Sequence, residues 1–122
     1  MTAVKSIGIL TSGGDAPGMN AAIRAATMVG LSAGLNVYGI YRGYRGLLEE
    51  KIEKLGSDQV QGILRNGGTM LHSTRCLEFH ELETRHRARR ILRSKGIDGL
   101  IVIGGNGSLT GALALSDKDE AD

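Results

Sequence analysis

One pattern constrains the fold of this chain more than any other: a short apolar run breaks at glycines and restarts as a helix-permissive segment, and it does so twice. The first copy runs from Ile7 to Asn20, with Gly13 and Gly14 at the break and Pro17 and Gly18 before an Ala-rich stretch. The second runs from Ile97 to Ile103, breaks at Gly104-Gly105-Asn106-Gly107-Ser108, and continues from Leu109 to Leu115. Each reads as strand, glycine turn and helix start. Such a junction lets backbone N–H groups approach an anion with no Cβ in the way, while the helix dipole adds partial positive charge. A Gly-Gly pair can also be a tight turn and nothing more. Two pairs in one short chain, one beside Asp15 and the other beside Asn106, favour a shared phosphate-handling site.

The segments between these junctions alternate in the same way. Ser6 to Leu10 is apolar on both faces, as a parallel strand covered on both sides must be. Asp15 or Ser12 is placed to cap the helix that follows, with Pro17 in its first turn, and Ala21 to Leu31 is a small-residue helix ending near Gly30 or Gly34. Asn36 to Tyr41 reads as a second strand, completing a βαβ unit. From Arg42 the pattern weakens. Gly43 and Gly46 suggest turns around Tyr44, Leu47 to Leu55 a polar, hairpin-like piece, and Gln59 to Leu64 one or two helical turns. Thr69 to Phe79 has no period and is expected to be a surface loop carrying Arg75. Glu83 to Lys95 is predicted as a helix with Ala88, Ile91 and Leu92 inward and Gly96 as its stop. The fold class that follows is α/β, a three-layer Rossmann-like and mostly parallel sheet, over residues 1–116, with 117–122 as a polar tail.

Composition excludes several functions. The net charge of +2 is too small to argue for nucleic acid, and the basic run Arg85, Arg87, Arg89, Arg90, Arg93 and Lys95 lacks an aromatic platform, so it reads as a solvated face or subunit contact. No apolar run approaches the ~20 residues that a membrane helix needs. The single cysteine, Cys76, precludes an internal disulfide, and no leader pattern follows Met1. The expected setting is reduced and cytoplasmic, without a membrane partner. His72, His80 and His86 have no metal-ligand spacing.

Two familiar phosphate loops fail on inspection. No Gly-Lys-Ser/Thr tripeptide supports a Walker loop, and the first turn is G-G-x-x-x-G rather than G-x-G-x-x-G, with Arg42 where a ribose-binding acid would stand. The stretch Gly8 to Arg24 instead closely resembles the opening of the 6-phosphofructokinases. The resemblance continues through Gly39-Ile-Tyr-Arg-Gly-Tyr-Arg-Gly-Leu, Asn66-Gly-Gly-Thr, Ser73-Thr-Arg-Cys, and Gly96 to Ala112, in that family's order. It identifies the chain as an amino-terminal part of the phosphofructokinase fold.

That resemblance implies transfer of a phosphoryl group from Mg-ATP, or from pyrophosphate, to the 1-hydroxyl of fructose 6-phosphate in glycolysis. It places Gly13 and Gly14 against the donor phosphates, with Tyr44, Arg75 and Cys76 as donor contacts, Arg75 also carrying transition-state charge. Gly105, Asn106, Gly107 and Ser108 would line the nucleotide and metal side. Glycine at 107, where pyrophosphate users commonly have an acid, favours ATP. Asn106 stands where the family usually has a magnesium-associated aspartate, so metal binding is expected to be weaker, and a non-catalytic nucleotide-binding relative is the alternative. The family's catalytic aspartate lies in a Thr-Ile-Asp-Asn-Asp type motif beyond residue 122, so the isolated chain is expected to be inactive; the resemblance implies a homotetramer for a full-length protein.

Overall fold

The structure, a computed structural model, describes residues 4–13, 18–63, 68–73, 81–105, 112 and 115. In chain order its elements are β1 (Ser6–Thr11), α1 (Met19–Ser32), β2 (Asn36–Ile40), α2 (Gly43–Leu48), β3 (Ile52–Leu55), α3 (Ser57–Val60), α4 (Leu82–Ser94) and β4 (Gly99–Ile103). The strands form one sheet in the order β3-β2-β1-β4. β1 pairs in parallel with both β2 and β4, and β2 pairs antiparallel with β3. The expected α/β fold with a mostly parallel sheet is what the chain adopts.

Alternation along the strands assigns each side chain to one of two cores. Ile7, Ile9, Val37 and Leu55 face α1 and α3, joined by Ile23, Val60, Ile63 and Leu71. Leu10 and Ile40 face the opposite way, towards Tyr44 and Leu47 of α2, Ala88 and Ile91 of α4, and Leu115. Helices therefore cover both faces, giving three layers. All six residues of β1 are buried, which explains why its sequence is apolar on both sides. α1 lies close over β1 and β2 at Gly30, where a Cβ would come within 2.9 Å of a Val37 methyl.

The helix ends differ in part from expectation. α1 begins at Met19, so Pro17 precedes it, and its N-cap is Gly18 in the left-handed region at φ 94° with no side-chain cap. Ser12 does not cap the helix: its N–H donates to the Ile103 carbonyl at 3.0 Å and prolongs the β1–β4 pairing. Gly34 and Gly96, at φ +80° and +71°, terminate α1 and α4 as the sequence suggests. The expected turns at Gly43 and Gly46 are instead the helix α2, and the hairpin-like piece resolves into α2 plus the antiparallel strand β3. The predicted turns at 59–64 begin earlier, as α3.

At the amino end of the sheet, Asp98 fixes β1 against β4. Its Oδ2 accepts the N–H groups of Lys5 at 2.9 Å and Ser6 at 3.0 Å, and its own N–H donates to the Ser6 carbonyl. Those two amide bonds hold the carboxyl below its ordinary range. α4 also departs from a wholly solvated basic face: Arg89 is buried, its Nε donating to the Leu115 carbonyl at 2.9 Å.

Candidate functional site

The carboxyl ends of β1 and β4 lie side by side, with Thr11 opposite Ile103 in the register. The chain winds outward from β1 to β2 and β3, then returns to the other side of β1 for β4. α1, which follows β1, packs on one face, whereas Leu115, beyond β4, is buried against the other. The two connections thus leave adjacent strands in opposite directions, a topology that implies a crevice between them, at the place where open α/β sheets take ligands. Both glycine turns start here. Gly13 is exposed at φ 86°. Gly105 is exposed too, and no atom of the described residues lies within 4 Å of where its Cβ would stand.

Residues 68–73 form the adjoining wall. Leu71 is fully buried and seats over Gly39 of β2, where a Cβ would approach it to 2.9 Å. Its carbonyl accepts the Arg42 N–H at 2.8 Å. Asn20, in the first turn of α1, holds the segment twice: its Oδ1 accepts the Met70 N–H at 2.6 Å, and its N–H donates to the Gly68 carbonyl at 3.0 Å. Thr11 and Thr69, both buried, join their hydroxyls at 2.9 Å. Because Thr11 donates its proton to the His72 carbonyl at 3.1 Å, Thr69 must be the donor between the two, and Thr69 Oγ1 in turn accepts the Leu71 N–H. Ser73 then donates to the Gly13 carbonyl. Thr11, Asn20, Thr69 and Ser73 all fall inside the family motifs, which mark the positions without giving this role, since their partners are distant in the chain.

Of the residues assigned from sequence, Gly13 and Gly105 flank the crevice. Tyr44 sits in the second core, 5% exposed, and burial pushes its phenol up to about 12. It stays neutral at ordinary pH and can offer shape or a hydrogen bond but not a base. Gly14, Arg75, Cys76, Asn106, Gly107 and Ser108 lie outside the described residues, as do Asp15 and His80. Among the described residues no cluster of three His, Cys, Asp or Glu side chains could hold a metal, and no helix is long and apolar enough to cross a membrane.

The strand order and the helices on both faces define an open, doubly wound α/β domain. A sequence model of the phosphofructokinase family matches residues 6–121, and the chain belongs to that family. It is 54% identical over 115 residues to the ATP-dependent 6-phosphofructokinase of Actinobacillus succinogenes, a match covering 94% of this chain and 36% of that protein. Similar relatives are matched over the same share, so the chain spans about a third of their length. Among solved structures, Pichia pastoris phosphofructokinase in the T-state superposes with a TM-score of 0.89 at 47% identity, covering 94% of this chain and 12% of that one. A pyrophosphate-dependent phosphofructokinase from Marinobacter aquaeolei superposes with a TM-score of 0.77 at 22% identity, over 93% of this chain and 29% of its own, and shares the fold.

Proposed function

We propose that this chain forms the ATP-binding part of a 6-phosphofructokinase that phosphorylates fructose 6-phosphate to fructose 1,6-bisphosphate. The observation that carries the reading is the placement of Gly13 and Gly105 two residues beyond the paired ends of β1 and β4, Thr11 and Ile103, at the sheet's switch point. Sequence similarity of 54% to a protein named as ATP-dependent, against 22% to one named as pyrophosphate-dependent, supports ATP as donor, as does Gly107.

In this reading, the backbone around Gly13, Gly14 and Gly105 to Ser108 cradles the phosphates, and Arg75 neutralises charge spread over the transferred group. Phosphoryl transfer depends mainly on such positioning and charge compensation. Among the described residues nothing crowds Gly105, in keeping with an approaching phosphate. Mg2+ bound with ATP would offset phosphate charge, and Asn106, a neutral amide, would hold it more weakly than a carboxylate. For the whole protein the same reading takes fructose 6-phosphate as acceptor, a homotetramer as the assembly and the cytoplasm as the location.

The test uses Gly105, because a side chain there meets no atom of the described residues. Mg-ATP should bind the chain saturably in a calorimetric titration. Gly105→Val should reduce affinity at least about tenfold with thermal stability unchanged, because it takes ligand space alone. Equal affinity in the variant, or preferential binding of pyrophosphate, would argue against the assignment.

A further inference from the structure

We infer that Ser73 is a positioning residue that couples the Gly13–Gly14 turn to the segment leading to Arg75, an inference resting on the ATP-site reading above. Its hydroxyl donates to the Gly13 carbonyl across the crevice wall. That bond falls one residue before Gly14 and two before Arg75, within about 7 Å of chain from each. A separation set at Ser73 and Gly13 therefore limits how far apart the groups proposed to meet the donor's phosphates can stand.

Everything behind Ser73 is fixed. Leu71 is locked over Gly39, Asn20 grips the backbone on either side of Thr69, and the Thr69–Thr11 hydroxyl pair ties the segment to the end of β1. His72 occupies the left-handed region at φ 58°, which a non-glycine residue adopts at a cost. Its carbonyl is held there by Thr11. This reversal brings the chain back so that Ser73 meets Gly13, and strain of that kind persists only where surrounding contacts impose it. Ser73 itself is partly exposed, so its hydroxyl could have been satisfied by water. Its bond to Gly13 adds coupling more than core stability.

The experiment compares Ser73→Ala with Ser73→Thr in the 122-residue chain, titrating Mg-ATP and AMP and following deuterium exchange of the peptide spanning residues 12–18. Ser73→Ala should weaken ATP about five- to tenfold, the worth of one hydrogen bond, while AMP affinity and melting temperature stay put. Ser73→Thr, which keeps the hydroxyl, should restore ATP binding. Exchange in the 12–18 peptide should quicken in the alanine variant. Equal losses for ATP and AMP would indicate a general structural role and overturn the inference. If wild-type chain binds no nucleotide, the ATP-site reading fails by itself; the coupling then stands or falls on exchange, and unchanged exchange in Ser73→Ala would refute it.

Discussion

Thr11 closes β1 with no exposed surface and serves three partners there: it is backbone in the sheet, donor to His72 and acceptor from Thr69. Thr11→Val keeps the branched shape and deletes the hydroxyl, which strands the buried Thr69 proton. Leaving a buried polar group unsatisfied costs about 1–3 kcal/mol, so urea unfolding should show a loss of that size; a change within error would mean water replaces the bond. Tyr44 supplies a pH signature. Burial raises its phenol from 10.0 to about 12, so the folded chain keeps this proton more tightly than the unfolded chain does. Its contribution is fully present below pH 10 and is lost as pH rises towards 12. Tyr44→Phe should flatten the alkaline limb of the stability curve. A slope would persist from Tyr41, whose phenol is also raised, first by burial and then by Glu53. An identical limb in the variant would contradict the described burial of Tyr44.

α2 is the element whose existence depends most on one atom's absence. At Gly46 a Cβ would stand 1.4 Å from the Tyr41 carbonyl oxygen, a backbone atom that cannot swing aside. Gly46→Ala must therefore displace α2 from the end of β2, and should cost about 3 kcal/mol or more by chemical denaturation. A loss below about 1 kcal/mol would show that the turn yields easily. The same glycine explains why α2 was not legible in sequence. Gly43 and Gly46 look like turn residues because nothing local reveals that close packing excludes a side chain. β1, α1, β2, α4 and β4 were legible, since their apolar periods and the stops at Gly34 and Gly96 are local. Arg89 was misread for the opposite reason: it stands among several neighbouring cations, and its bond to the Leu115 carbonyl, 26 residues away, has no local signature. At the crevice, the two glycine turns announced themselves, whereas the Thr11–Thr69 pair spans 58 residues and leaves no pattern.

Across the whole molecule, the two edges of the sheet are built to different rules. β3 is a short outer strand carrying exposed Glu53 and Lys54, charges of the kind that blunt edge-to-edge pairing. β4 reads Gly-Leu-Ile-Val-Ile, has no charge, and is half-buried at all five positions, and among the described residues no strand pairs with its outer side. A cavity of about 350 Å³ opens beside it, lined in part by Arg89, Leu92, Leu100, Val102 and Leu115. An apolar edge with no strand partner among the described residues is a template for another strand, so the chain alone should self-associate as its concentration rises. Light scattering should show apparent mass climbing above the monomer value. Val102→Lys places a charge on that edge, and the cavity has room for its aliphatic stem while the ammonium reaches water. The variant should remain folded by circular dichroism and move the onset of association to higher concentration. A wild-type chain that stays monomeric at every accessible concentration, or a lysine variant that associates as readily, would show that β4 is already covered.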